Sequence, residues 1–277
     1  MSTVAISAAD VNKLRAQTGA GMMDCKKALQ EANGDFEQAI DYLRKKGQKV
    51  AANRADKEAK EGYVLAKTNA DATKGYLVSL SCETDFVAKS ADFVKFVEDL
   101  LDVAVATNAS SIDDLKSQKM GDLTVSDKLF DIIGKIGEKI DITAYEVIEA
   151  PKVVIYIHPG NKVVSMVGMS SGTASSDVAK DVAMQIAAMS PVAVDKDDVD
   201  SRTLEREIEI GKEQARAEGK PEEMLEKIAQ GKLNKFYKEN TLLNQQFIKD
   251  DKLDIRAYLE KSEKGLTVKM FRRVQIG

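Results

Sequence analysis

The sequence predicts an α+β fold built from several parts, with helices packed on small antiparallel sheets. Three observations support this class. The first 47 residues carry only helical spacing of apolar residues. A predicted strand hairpin followed by a helix then occurs twice, at 63–107 and at 152–189. Residues 201–239 are rich in charge and sparse in apolar positions. A chain of 277 residues is long enough for two or three such parts.

Residues 1–47 are predicted to form a module of three short helices. The first begins near Ser7, with Asp10 three residues on as a weakened capping box, and ends before Gly19. The second carries Met22 and Met23, and the Asn33-Gly34-Asp35 run separates it from the third. The third helix is expected to end at Gly47, and its apolar stripe is Phe36, Ala39, Ile40 and Leu43.

The remaining chain is predicted to contain a linker and two similar α+β subdomains. Residues 48–61 are rich in Lys, Arg, Ala and Glu and are interpreted as a linker, helical or not. The core N-subdomain spans 62–150 and the core C-subdomain spans 151–277. The N-subdomain is expected to hold strands at 63–67, 75–81 and 140–148, and helices from Thr84 to about Thr107 and from about Ser126 to Ile136.

The core C-subdomain repeats this order and adds a helical insertion. Strands are expected at 153–157, 163–169 and 267–275. One helix is expected after Gly172-Thr173-Ala174, bearing Val178, Val182, Ile186 and Met189, and another near 255–261. The charged stretch at about 201–239 is predicted to be an antiparallel helical hairpin with a thin coiled-coil seam, broken at Gly219 and restarted after Pro221.

Composition excludes several functional classes. The net charge is −4, Trp is absent and aromatic residues make up 5% of the chain, so a surface for direct nucleic-acid contact is not expected. Cys25 and Cys82 are isolated thiols, which fits a reducing compartment. The first four residues lack the pattern of a signal peptide, and no apolar run approaches membrane-spanning length. A cytoplasmic protein without membrane contact is expected.

No catalytic constellation emerges from the residue pattern. A phosphate-binding loop is absent, and the Gly19-Ala20-Gly21 run does not follow a strand. The single histidine, His158, excludes His-rich metal sites. A pair of His158 with Cys25 or Cys82 is the remaining nucleophile candidate, but both cysteines are better read as small buried residues. The chain is therefore expected to be no enzyme and to hold no cofactor or metal.

The most informative stretch runs from Cys82 to Lys89. It follows a predicted strand and precedes a long helical pattern, so Thr84 or Asp85 is placed to cap a helix start. Phe86 then lies in the first turn beside a carboxylate. An aromatic side chain at this position either fills the core or contacts another molecule.

Two motifs resemble signatures of the bacterial elongation factor Ts family. The first is the Thr18–Leu29 stretch, followed by Ala32-Asn33-Gly34-Asp35; the second is Thr84-Asp85-Phe86-Val87-Ala88-Lys89. The resemblance covers nearly the whole chain. It implies a guanine nucleotide exchange factor for the translational GTPase elongation factor Tu, and it leaves a higher-order complex with that GTPase open. It also implies that the three-helix module is similar to a ubiquitin-associated domain.

The resemblance also implies roles for individual residues. Thr84, Asp85, Phe86 and Val87 would form the segment that inserts between two helices of the GTPase near switch II and disturbs its magnesium site indirectly. Further GTPase contacts are implied at Arg15, Met22, Met23, Ile136, Gly137 and His158. The run Gly137-Glu138-Lys139 departs from the Gly-Glu-Asn of many relatives.

Structural readings compete with several of these roles. Met22 and Met23 could be core methionines, Phe86 a core residue and His158 an ordinary loop residue. The alternative function is a non-enzymatic adaptor, with a peptide-binding three-helix module and an RNA- or ribosome-binding core. A steep fall of binding with salt would favour that alternative.

Overall fold

The computed structural model describes residues 5–277. Residues 1–4, on which the expectation about a signal peptide rests, lie outside the described range. The chain divides into two units. Unit 1 contains residues 5–65, 76–146 and 274–277, and unit 2 contains residues 66–75 and 147–273. Helices and small antiparallel sheets make up both, so the predicted α+β class is confirmed.

The first half of the described chain contains seven helices and five strands. They are α1 (Ala8–Thr18), α2 (Met22–Glu31), α3 (Phe36–Asn53), β1 (Glu61–Thr68), β2 (Lys74–Cys82), α4 (Asp85–Ala88), α5 (Ala91–Thr107), α6 (Ile112–Ser117), β3 (Lys119–Met120), β4 (Leu123–Thr124), α7 (Val125–Ile136) and β5 (Asp141–Glu149).

The second half contains four helices, five strands and two 3-10 turns. They are β6 (Lys152–Ile157), β7 (Val163–Met169), α8 (Ser176–Met189), a turn at Lys196–Asp198, α9 (Ser201–Ala217), α10 (Glu222–Asn240), a turn at Leu242–Asn244, β8 (Gln246–Phe247), β9 (Asp250–Asp254), α11 (Ile255–Ser262) and β10 (Val268–Gln275).

Helices α1 and α3 have the caps that the sequence predicts, whereas α2 ends with Ala32 as its C-cap and not with Gly34. Ser7 and Asp10 form the capping box of α1, and Gly19 ends that helix with φ +68°. Asp35 caps α3 by accepting the Gln38 amide at 2.9 Å. The three helices share a small core of their own, formed by Val11, Leu14, Ala20, Cys25, Ala28, Leu29, Ala32, Ala39 and Leu43.

The prediction that Gly47 ends the third helix is wrong, because α3 continues to Asn53. Gly47 is buried instead at a close crossing of α3 with α7. A Cβ on Gly47 would lie 2.0 Å from the Phe130 carbonyl oxygen, and one on Gly134 would lie 3.1 Å from the Gly47 Cα. The glycine therefore serves helix packing rather than termination, and the predicted boundaries at 47 and 61 stay predictions.

The prediction of a single helix from Thr84 to about Thr107 is also wrong. The chain forms the four-residue α4, turns at Lys89–Ser90 and starts α5 at Ala91. Ser90 causes the break, because its hydroxyl accepts the Phe93 amide as an N-cap and donates to the Val87 carbonyl at 2.8 Å. The buried face of α5 consists of Phe93, Phe96, Val97, Leu100, Leu101 and Ala104.

The two main sheets have the same strand arrangement. The first has the order β1-β2-β5 and the second the order β10-β7-β6. In each sheet the second hairpin strand is central, and a strand from later in the chain pairs on its other side. A helical segment follows each hairpin, so the strand pairing supports the internal duplication inferred from element order.

Unit 2 contains the helical hairpin predicted for residues 201–239. Helices α9 and α10 form it, with Gly219 at φ +72° in the connecting turn. Gly211 allows a close approach, because a Cβ there would lie 3.3 Å from the Ala229 Cα. The seam is thin, as the sequence predicts, and its buried residues are Gly211, Ala215, Leu225, Ala229 and Leu233.

Candidate functional site

The segment Thr84–Val87 forms the start of α4 and presents an aromatic side chain to solvent. Thr84 adopts an extended conformation as N-cap, and its hydroxyl accepts the Val87 amide at 3.4 Å. Phe86 is 85% exposed, the largest exposure among the exposed large apolar side chains of residues 5–277. The interpretation of Phe86 as a core residue is therefore wrong for the chain alone, and a contact with another molecule is favoured.

Asp85 lies beside Phe86 and is paired within the same turn. Its carboxylate accepts the Lys89 ammonium at 2.7 Å. This hydrogen bond lowers the pKa of Asp85 below its ordinary value. Because Asp85 starts α4, its negative charge also suits the helix N-terminus. The aromatic ring is thus flanked by a carboxylate that stays ionised at neutral pH.

Glu138 holds the backbone just before this turn. Its Oε2 accepts the amides of Glu83 and Thr84, each at 3.0 Å. Its Oε1 accepts the Thr84 hydroxyl at 2.7 Å. One side chain therefore satisfies three donors that lie 54 or 55 residues away in sequence. Hydrogen bonds to a charged acceptor are the stronger class.

The Glu83 side chain in turn binds the backbone next to Glu138. The Glu83 side chain is 16% exposed and accepts both the Arg54 guanidinium, at 2.7 and 2.9 Å, and the Lys139 amide at 2.6 Å. Lys139 in turn donates its ammonium to the carbonyls of Ala55 and Lys57. Arg54 is the C-cap residue of α3. We call Arg54, Glu83, Glu138 and Lys139 the carboxylate cluster.

Ile136 and Gly137 lie next to the carboxylate cluster at the end of α7. Gly137 has φ +82° and donates its amide to the Ile133 carbonyl, which closes the helix. The next residue is Glu138, so this left-handed turn directs the chain to the Thr84 segment. The structure thereby brings together two of the sequence-predicted sites, the Thr84–Val87 turn and the Ile136-Gly137 pair.

Arg15, Met22 and Met23 lie on the N-terminal helices. Met22 is 54% exposed and Met23 is 74% exposed, so neither is a core methionine. Arg15 is exposed in the last turn of α1. Arg15 precedes the turn at Gly19–Gly21 in sequence, and Met22 and Met23 follow it. The two methionines are flexible apolar side chains of a kind suited to an interface.

His158 belongs to unit 2 and lies at the turn between β6 and β7. It is exposed, and its Nδ1 lies 3.1 Å from the Tyr156 hydroxyl. Its amide donates to the Val163 carbonyl at 2.9 Å, which closes the hairpin. The position fits either a partner contact or an ordinary loop residue, and the implied GTPase contact stays a prediction.

Cys82 precedes the site but is chemically quiet. The thiol is buried and donates to the Thr84 carbonyl, with the sulfur 3.2 Å from the oxygen. Burial raises the pKa of Cys82 to about 12, and burial also raises the pKa of Cys25. The prediction that both cysteines are small buried residues is confirmed.

We expect both thiols of the native protein to react with iodoacetamide far more slowly than those of the urea-unfolded chain. Only the thiolate is nucleophilic, and a raised pKa keeps Cys82 protonated through pH 9. Mass spectrometry after timed labelling at pH 7 to 9 measures this. Equal rates in the native and unfolded chains would contradict the buried environment.

Within residues 5–277, no cluster of three or more His, Cys, Asp or Glu side chains has metal-binding geometry. Over the same residues, no helix has the length and apolar character needed to span a membrane.

Sequence reasoning missed the carboxylate cluster. Glu83 and Glu138 each stand beside a residue that the motifs had singled out, but their partners are distant in sequence. Lys139 stands where many relatives have Asn, and the sequence indicates no role for it. Its side chain donates to carbonyls that lie 82 and 84 residues away. Hydrogen bonds between residues so far apart leave no pattern in the local sequence.

Comparisons with known proteins identify the family of the chain. A family model described as Elongation factor TS matches residues 83–277, beginning at Glu83. The chain is 56% identical to an Elongation factor Ts of Cytophaga hutchinsonii, with all of both chains covered. It is 52% identical to one of Amoebophilus asiaticus (99% of this chain, 100% of the relative) and 51% identical to one of Christiangramia forsetii (98% and 99%). The chain belongs to the elongation factor Ts family.

Proposed function

We propose that the chain is a guanine nucleotide exchange factor for elongation factor Tu and works in the cytoplasm during translation elongation. The observation that carries the proposal is Phe86, an aromatic side chain that is 85% exposed on a turn held by hydrogen bonds from a distant part of the chain. Family membership supports the identity of the partner. The factor makes and breaks no covalent bond.

We propose that the Thr84–Val87 segment inserts between two helices of the GTPase near switch II. Insertion of Phe86 displaces elements that support the magnesium site, while the ionised Asp85 orients the ring. Such GTPases bind the nucleotide mainly through magnesium and the phosphate-loop amides, so disturbing these contacts weakens GDP binding. The neighbouring Ile136 and Gly137 contact the same GTPase domain.

Magnitudes indicate that this segment does not act alone. Each tenfold change in GDP affinity needs about 1.4 kcal/mol of differential binding. Weakening GDP several thousandfold therefore needs roughly 5 kcal/mol, whereas burying one Phe contributes roughly 1.5–3 kcal/mol. The remainder is assigned to further contacts, at Arg15, Met22 and Met23 on the N-terminal helices and at His158 in unit 2.

Release of a fluorescent GDP from elongation factor Tu tests the proposal. We expect a substoichiometric amount of the chain to accelerate release in the presence of excess unlabelled GDP, because an exchange factor is recycled. An unchanged release rate would reject the proposed function. RNA binding by the chain that falls steeply with salt would favour the adaptor function instead.

A further inference from the structure

We propose that Glu138 is a positioning residue for exchange, which fixes the backbone of Glu83 and Thr84 so that Phe86 is presented in its inserting geometry. This inference rests on the proposed function. Glu138 lies outside the Thr84–Val87 segment and is half-buried, so its role would be to act through that segment rather than on the GTPase nucleotide site.

Glu138 binds the backbone and a side chain at the entry to α4. All three donors that Glu138 accepts come from the two residues that lead into α4. The α4 helix has only four residues and contributes little stability of its own. Without Glu138, the amides of Glu83 and Thr84 lose the acceptor that orients them.

The carboxylate cluster that supports this backbone is itself bonded to the chain at several points. Glu83 is tied to Arg54 at the end of α3 and to the Lys139 amide. Lys139 is tied to the carbonyls of Ala55 and Lys57. The contacts of Glu83 and Glu138 are reciprocal. The Glu138 carboxylate accepts the amides of Glu83 and Thr84, and the Glu83 carboxylate accepts the amide of the residue that follows Glu138. Such a closed set of bonds fixes position better than one contact.

A turn that is disordered before docking has to be ordered when it binds. Ordering one backbone residue has a free-energy cost that corresponds to roughly a tenfold change in an equilibrium or rate constant. A turn that is ordered before docking avoids that cost at the moment when Phe86 is inserted. Freeing one residue is therefore expected to slow the maximal rate of GDP release roughly tenfold. The binding made by the N-terminal helices is unaffected.

A double-mutant cycle with Phe86 tests the proposal. The maximal rate of fluorescent GDP release at saturating factor is measured for the unaltered chain, Glu138→Ala, Phe86→Ala and the double variant. If Glu138 acts through Phe86, Glu138→Ala slows release roughly tenfold in the unaltered background and less than about twofold in the Phe86→Ala background. An equal effect in both backgrounds would overturn the inference.

Controls separate positioning from folding. Asp114 is a matched carboxylate, because it accepts the Ser110 amide and hydroxyl at 2.8 and 3.0 Å on α6 and lies outside the carboxylate cluster. Asp114→Ala is expected to leave the release rate unchanged. Glu138→Gln keeps one oxygen for the two amides and is expected to restore part of the rate, and it replaces Glu138→Ala if that variant does not fold.

Hydrogen exchange gives a readout that is independent of the GTPase. The amides of Glu83 and Thr84 are expected to lose protection in Glu138→Ala while those of α5 keep it; unchanged protection would also overturn the inference. If the unaltered chain fails to accelerate release, the proposed function itself fails. If it accelerates release but Phe86→Ala has no effect, exchange stands and the positioning role falls.

Discussion

The variant Phe86→Ala is expected to lose most of the exchange activity while keeping its full thermal stability. The side chain is 85% exposed, so its removal costs the isolated fold little. On the partner, the loss of one buried Phe is worth roughly 1.5–3 kcal/mol, which corresponds to a release rate roughly 10- to 100-fold lower at limiting factor. Stopped-flow GDP release and a thermal melt together measure both quantities.

Phe93 provides a matched control for this variant. It is the same residue type, seven positions along the chain, but it is fully buried on α5. Phe93→Ala is expected to cost about 3–5 kcal/mol of folding free energy and to lower the melting temperature clearly. Phe86→Ala is expected to shift it by less than about 2 °C. A large loss of stability in Phe86→Ala would show that the ring packs within the chain.

The variant Gly47→Ala is expected to destabilise the fold strongly, because the added methyl group meets the backbone of a second helix. The new Cβ would lie 2.0 Å from the Phe130 carbonyl oxygen and 3.4 Å from the Gly134 amide nitrogen. Both neighbours are backbone atoms that cannot rotate away, so α3 and α7 have to separate. Overpacking typically costs 1–3 kcal/mol, and about 3 kcal/mol or more is expected here. Urea unfolding followed by circular dichroism measures the loss.

Gly231 supplies the control. It also lies within a helix, α10, but a Cβ there would meet no atom within 4 Å. Gly231→Ala is therefore expected to raise stability by about 0.5–1 kcal/mol through helix propensity. If Gly47→Ala were as stable as the unaltered chain, the close crossing of α3 and α7 would be disproved.

Local signals predicted the elements whose causes are local. Ser7 with Asp10, Asp35 and Gly19 mark helix ends through bonds within four residues, and all three act as caps. The alternation of strands and helices predicted both sheets, and the charged stretch predicted α9 and α10. The Thr84–Val87 segment was identified because its motif is contiguous.

The errors have tertiary causes. Gly47 has the appearance of a helix end in sequence, but its role depends on Phe130 and Gly134 more than 80 residues away. Ser90 breaks the helix predicted from Thr84 because its side chain competes for the backbone, and apolar periodicity does not register that competition. The carboxylate cluster joins three separate parts of the chain, so its members had no common local pattern.

The affinity of the chain for nucleotide-free and for GDP-bound elongation factor Tu tests the exchange mechanism most directly. Binding is reciprocal, so a factor that weakens GDP must itself be weakened by GDP by the same ratio. Calorimetry or fluorescence titration of both forms measures that ratio. We predict tight binding to the nucleotide-free GTPase and, with GDP present, binding that is several thousandfold weaker, a difference of roughly 5 kcal/mol. Equal affinity for the two forms would contradict the exchange mechanism.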